Sequence, residues 1–163
     1  FAVVLADDLI DSKKGVLKQM TEQYVDINSS LISVQKIQKK DSIHYGMIDT
    51  ETSNGSIRKL TGIVEKPNPD DSPSNFGVVG RYIFSNQIFS CLETIGFGTG
   101  NEIQLTDAIK KMIASQSVFA YEFEGTRYDC GDKLGYIKAN VEYALKDKKF
   151  GNKFLSYLKQ KIL

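Results

Sequence analysis

Two adjacent carboxylates, Asp7 and Asp8, follow directly on the apolar run Phe1-Ala2-Val3-Val4-Leu5-Ala6. A strand ending in acids delivers oxygen donors at its carboxyl end. Such donors suit a hard cation, magnesium above all, which takes one or two protein carboxylates together with phosphate oxygens and water. Asp129 has a similar setting, after the strand-like segment 116–124 and before Cys130-Gly131. If the two strand ends are neighbours in one sheet, Asp7 and Asp129 can share a cation. Glu65-Lys66-Pro67 is the third element: a carboxylate accepts hydrogen bonds from vicinal sugar hydroxyls, an ammonium neutralises a phosphate, and Pro67 stiffens the chain behind them. Singly, each has an ordinary reading, as loop solvation, a helix cap or a surface ion pair. As a set they describe a polar crevice at one edge of an α/β sheet.

Other candidates carry less. Gly96-Phe97-Gly98-Thr99-Gly100 follows a helix rather than a strand and lacks the spacing of a dinucleotide loop, so it reads as a connector. His44 is the only histidine and stands in a polar segment, the setting of a surface residue. The two cysteines, Cys91 and Cys130, have neither the number nor the spacing of a zinc site or a disulfide framework, which points to a reducing cytoplasm.

The elements that must position these residues are legible as an alternation. The run from Phe1 to Ala6 reads as a strand buried on both faces. Val16, Leu17, Met20 and Tyr24 recur at helical spacing, and 30–37 returns to strand composition, so the first third predicts strand, helix, strand and some parallel pairing. Tyr45 to Asp49 and Ile57 to Val64 are extended runs around Asn54-Gly55, a hairpin signal that predicts an antiparallel excursion. All three prolines fall between Pro67 and Pro73, which makes that segment a loop. Phe76 to Phe84 predicts a strand whose interior glycines, Gly77 and Gly80, mark a bulge or a close ligand. Ser85 is placed to cap a helix over 86–94, a second helix starts near Leu105, 116–124 is the last strand, and Tyr128 to Gly131 reads as a turn. Leu134, Ile137, Val141 and Leu145, then Phe154, Leu155, Leu158 and Ile162, lay down two final helical stripes.

Composition agrees with an ordinary globular protein: 163 residues, 41% hydrophobic and 25% charged. Lys and Arg number 21 against 20 Asp and Glu, so neither nucleic acid nor an anionic membrane is an expected partner. No apolar stretch approaches the roughly 20 residues of a membrane span. The abrupt opening on Phe1 reads as a chain entered in mid-fold.

Six stretches, in order, resemble the bacterial UTP:glucose-1-phosphate uridylyltransferases: Phe1 to Leu9; His44-Tyr45-Gly46; Gly62 to Pro67; Pro73-Ser74-Asn75 with Val79 to Tyr82; Asn101 to Ala108; and Tyr128 to Gly131 with Leu134-Gly135-Tyr136. The resemblance implies an α/β nucleotidyltransferase fold, a Rossmann-like mixed sheet with helices on both faces. It implies that 1–163 is the C-terminal portion of one such domain, with C-terminal helices from about residue 132. It places Asp7 and Asp129 at Mg²⁺ and Asp8, Gly46, Glu65, Lys66 and Val78 at the sugar phosphate, with Lys66 and Asp7 as the catalytic residues. Asp132 receives no role.

The family's glycine-rich nucleotide loop has no match here, so the resemblance covers only the later part of that fold, and exposed apolar surface is expected where the earlier part would lie. The implied reaction joins glucose 1-phosphate and UTP to give UDP-glucose and pyrophosphate, in a cytoplasmic homo-oligomer. Three alternatives stay open: a sibling hexose-1-phosphate nucleotidyltransferase such as a thymidylyltransferase, a noncatalytic binding or assembly module docked through the terminal stripe, and a metal-dependent glycosyltransferase using Asp7-Asp8.

Overall fold

Ser30 to Val34 are five consecutive buried residues, a pattern only a strand covered on both faces sustains. They open β3 (Ser30–Lys36), which pairs parallel with β7 (Val118–Glu122) and antiparallel with β6 (Phe76–Ile83). The computed structural model describes residues 1–53, 55–98 and 101–162, the last by its backbone. The Asn54 half of the hairpin signal, Thr99-Gly100 of the glycine run and the Ile162 side chain lie outside the described residues.

The chain forms two compact units. The first holds 1–5 and 12–124 and is built on a six-stranded mixed sheet in the order β1, β6, β3, β7, β5, β4, with β1 at Ala2–Val4, β4 at Gly46–Thr50 and β5 at Ile57–Glu65. Alternation along β3 sends Ile32 and Val34 to one face, where they join Ile88 of α2 (Gln87–Glu93) and Ala108, Ile109 and Met112 of α3 (Leu105–Ile113) in the main core. α1 (Val16–Ile27) covers the opposite face through Val16, Gln19 and Met20, and Gln19 accepts the Tyr121 hydroxyl proton from β7 at 3.2 Å. Helices therefore lie on both faces of a mixed sheet. The glycine signal in β6 is borne out: its register against β3 jumps between Ile32↔Tyr82 and Ser33↔Val79, so Gly80 and Arg81 form a bulge.

The second unit holds 6–11 and 125–163. Its two-stranded antiparallel sheet pairs β2 (Asp8–Asp11) with β8 (Thr126–Asp129), and α4 (Lys133–Lys146) packs on β8 and on α5 (Gly151–Ile162). Asp132 opens α4 as a side-chain cap, its Oδ2 accepting the Gly135 N–H at 2.8 Å. Asp132→Ala is therefore expected to weaken α4 by about 1 kcal/mol, measured as earlier loss of helical circular dichroism in a urea titration.

The structure corrects three sequence expectations. Phe1 to Ala6 is not a strand buried on both faces: β1 is three residues long, pairs antiparallel among the described residues with β6 alone, and leaves Phe1 and Val4 each 52% exposed. Ser85 does not cap α2 with its side chain; Asn86 holds the cap position without a side-chain bond, and the Ser85 hydroxyl accepts from Gln116. β7 is not the last strand, because Tyr128 and Asp129 belong to β8 rather than to a turn. Along α4, whose helical stripe the sequence announced, Leu134 and Ile137 are exposed and Ala139 is buried. The antiparallel pairing expected around Asn54-Gly55 is borne out: β4 pairs with β5, and β5 also pairs antiparallel with β7 inside the main sheet. Exposed apolar surface is present as expected, around Phe1, Val4, Leu5 and Phe89 of the first unit.

Candidate functional site

Gly46 begins β4 and is paired in register with Glu65, the last residue of β5. Directly opposed positions on one face of an antiparallel pair bring their side chains together, and a glycine at one of them leaves room beside the other. That room is small. A Cβ on Gly46 would sit 2.9 Å from Thr106 Cγ2, 3.4 Å from Glu65 Oε2 and 3.7 Å from Val78 Cγ2, so any larger residue collides with α3. Glu65 is half-buried and Val78, on β6, partly so. Three of the predicted sugar-phosphate residues thus border one cradle of the first unit.

Lys66 follows with its Nζ 3.7 Å from Glu65 Oε1 and its side chain 56% exposed. Its backbone takes φ 43°, the left-handed region, immediately before Pro67. A residue ahead of proline strongly prefers extended backbone, so this conformation is strained. The Lys66 N–H donates to Tyr45 O at 2.9 Å, which holds it in place. Strain of this kind persists where surrounding structure imposes it, and such positions cluster at ligand-binding sites.

The predicted acids assemble in the second unit. Asp8 pairs in register with Asp129, and the Cys130 N–H donates to Asp7 O at 2.7 Å; the acids meet through the separate β2–β8 ladder and not, as the sequence reading required, because segments 1–6 and 116–124 are neighbours in one sheet, where β6 and β3 stand between β1 and β7. Asp7 Oδ2 and Asp129 Oδ1 approach one point beside Gly131, 3.0 and 3.2 Å from where its Cβ would be. Asp7 is exposed, while Asp8 is 5% exposed. Both oxygens flank Gly131, whose N–H donates to Asp129 Oδ1 at 3.1 Å, and two carboxylates on neighbouring strand ends are the kind of donor a magnesium ion takes alongside water and phosphate. Among the described residues no three His, Cys, Asp or Glu side chains gather for a metal, so the donor set offers two carboxylates and not a protein cage.

Sequence reasoning missed Arg127. Because alternate residues share a sheet face, Arg127 lies on the same face as Asp129 and, across the strands, Asp8. Its Nε donates to Asp8 Oδ1 and its Nη2 to Asp129 Oδ2 at 2.9 Å. The signal available was a Thr-Arg-Tyr-Asp alternation that the turn reading of 128–131 obscured. At the other end of β2, Lys146 of α4 donates to Asp11, and that bond holds the ammonium above its ordinary pKa. The remaining candidates take no part: His44 is exposed at the end of a 3₁₀ turn, and Cys91 and Cys130 are free thiols. Among the described residues no helix is long and apolar enough to cross a membrane.

Comparison with known proteins identifies the family. A UTP–glucose-1-phosphate uridylyltransferase of Staphylococcus epidermidis is 44% identical over 160 residues, 98% of this chain and 56% of the relative. One of Staphylococcus haemolyticus is 42% identical over the same share. A UDP-glucose pyrophosphorylase crystallised with UDP-glucose superposes with TM-score 0.87 at 41% identity, covering 90% of this chain and 56% of that one. A UTP-bound pyrophosphorylase of Acinetobacter baumannii gives 0.85 at 36% identity, covering 97% and 55%. The chain therefore spans just over half the length of the relatives it matches. The nucleotidyl transferase family profile matches residues 1–146, most of the chain and every candidate residue described above. On sequence and fold, the chain belongs to the nucleotidyl transferase family.

Proposed function

We propose that the whole protein carrying this chain is a UTP–glucose-1-phosphate uridylyltransferase of the cytoplasm, acting with Mg²⁺ and as a homo-oligomer. The observation that carries this reading is the cradle of Gly46, Glu65 and Val78 beside Lys66, in a chain 41–44% identical to proteins of that name. This chain is the C-terminal portion of the nucleotidyltransferase domain and supplies the sugar-phosphate and metal residues.

Glucose 1-phosphate enters with its phosphate toward Lys66, whose ammonium offsets charge that would repel a second phosphate. Glu65, opposite a residue with no side chain, accepts hydrogen bonds from hexose hydroxyls. The contribution of Asp8 in this reading is at the sugar, through a carboxylate that Arg127 holds still. A phosphate oxygen of the sugar phosphate attacks the α-phosphorus of UTP in line. The new P–O bond forms as the bond to the β-phosphate oxygen breaks, and pyrophosphate leaves with that electron pair. No covalent enzyme nucleophile is needed, so catalysis rests on positioning and charge neutralisation. Asp7 and Asp129 would hold the magnesium ion, which supplies charge neutralisation at the phosphates when bound.

A panel of nucleoside triphosphates and hexose 1-phosphates, assayed by pyrophosphate release from the whole protein, tests the reading. UTP with glucose 1-phosphate is expected to give the highest kcat/KM; a preference for dTTP would assign the sibling thymidylyltransferase reaction. Glu65→Gln replaces a charged acceptor by a neutral one, and charged hydrogen bonds exceed neutral ones by roughly 1–1.5 kcal/mol. The variant is expected to raise the KM for glucose 1-phosphate about tenfold, with the KM for UTP unchanged.

A further inference from the structure

Lys66 holds φ 43° immediately ahead of Pro67, a backbone that relaxes to the extended region unless something opposes it. Two hydrogen bonds oppose it, one on each side. The Lys66 N–H donates to Tyr45 O at 2.9 Å, and beyond the strained residue the Ser42 hydroxyl donates to Pro67 O at 2.9 Å. Proline has no N–H, so its carbonyl is the main-chain group by which Pro67 can be tied. Ser42 is fully buried and Pro67 is buried with it, and a hydrogen bond away from water is costly to lose.

Both bonds come from one short segment. Ser42 and Tyr45 close the 3₁₀ turn Lys39–His44, the Tyr45 N–H donating to Ser42 O at 3.1 Å. The segment is itself fixed against the sheet: the Tyr45 ring lies over Gly77 of β6, where a Cβ would stand 3.0 Å from the ring's Cγ. A serine hydroxyl ordinarily bonds backbone within its own turn, but this one reaches a carbonyl 25 residues away. Strain imposed from outside in this way persists where a function uses it.

Resting on the sugar-phosphate reading of Lys66 above, we propose that Ser42 is a positioning residue of the transfer reaction. By tying Pro67 it keeps Lys66 in the left-handed conformation, and that conformation aims the ammonium at the phosphate of glucose 1-phosphate. Without the hydroxyl the chain is held on one side of Lys66 only. The backbone then relaxes toward the extended region, the side chain is re-aimed with it, and the sugar phosphate loses a neutralising charge while UTP does not.

The test is a double-mutant cycle of Ser42→Ala and Lys66→Ala in the whole protein, read as separate KM values for the two substrates and as kcat. Loss of folded molecules would lower kcat and leave both KM values alone, so the split separates positioning from stability. Ser42→Ala is expected to raise the KM for glucose 1-phosphate about fivefold, the worth of one hydrogen bond, with the KM for UTP unchanged. Lys66→Ala is expected to raise the sugar KM by more, and adding Ser42→Ala to it is expected to raise it no further, because the serine acts through the lysine. A sugar KM unchanged in Ser42→Ala, whether or not kcat falls, would place the hydroxyl in the fold alone and overturn the proposal. So would an equal rise in both KM values, or an undiminished rise in the Lys66→Ala background. A parent-like sugar KM in Lys66→Ala itself would overturn the sugar-phosphate reading of the lysine, and the role of Ser42 with it.

Discussion

Asp7→Asn in the whole protein is expected to lower kcat by at least about a thousandfold, equivalent to roughly 4 kcal/mol of transition-state stabilisation, while leaving the fold intact. The two halves of this prediction come from different atoms of one residue. The side chain is exposed and faces, with Asp129 Oδ1, the shared point beside Gly131. The backbone carbonyl accepts the Cys130 N–H at 2.7 Å and keeps the strand ends together. Asparagine preserves the backbone and the side-chain shape but removes the negative charge that a magnesium ion requires of a ligand at this point. Steady-state turnover with UTP and glucose 1-phosphate measures the first half, and amide hydrogen exchange over Asp8–Asp11 and Thr126–Asp129 the second. Turnover within tenfold of the parent at ordinary magnesium would remove Asp7 from the metal assignment.

How far such a site can be read from sequence depends on which interactions define it. Glu65-Lys66-Pro67 was legible because a charged pair closing an apolar strand is a local pattern, whereas Gly46 entered only through the family resemblance, since its pairing with Glu65 depends on a register that the sequence does not print. The interior glycines of β6 likewise announced a bulge, since a strand tolerates them poorly elsewhere. β1 misled for a physical reason. A continuous apolar run shows that a strand can be covered on both faces, but which neighbours cover it is a property of the sheet, and among the described residues only β6 pairs with it. β2 and β8 escaped because each is four residues long and is held by Arg127, Asp8 and Asp129 rather than by alternating apolar residues.

Arg127→Met is expected to have the largest effect on stability, and to have it locally. The Arg127 side chain is 10% exposed and Asp8 5%, so the guanidinium and its first carboxylate are both out of water. Removing one partner of a buried ion pair typically costs about 3–5 kcal/mol, because the remaining charge stays buried without it. Here the loss is compounded by register: Asp8 and Asp129 are directly opposite across the two strands, and like charges so placed repel. Asp129 is the more exposed of the two carboxylates, at 43%, so the burden falls on Asp8. A global melt is the wrong measurement, since the chain forms two compact units and β2–β8 belongs to the smaller one. Amide hydrogen exchange over Asp8–Asp11 and Thr126–Asp129 reads the opening of this sheet directly. It is expected to show protection reduced by about 3–5 kcal/mol, with β3 and β6 unchanged. The double variant Asp8→Asn with Arg127→Met removes the stranded charge along with its partner and is expected to recover at least half of the loss, the non-additivity that marks a coupled pair. Unchanged protection in Arg127→Met would show that Arg127 does not hold the strands together and that the backbone ladder with α4 suffices. An equal loss in the single and double variants would show that the arginine acts through packing of its stem rather than through its charge.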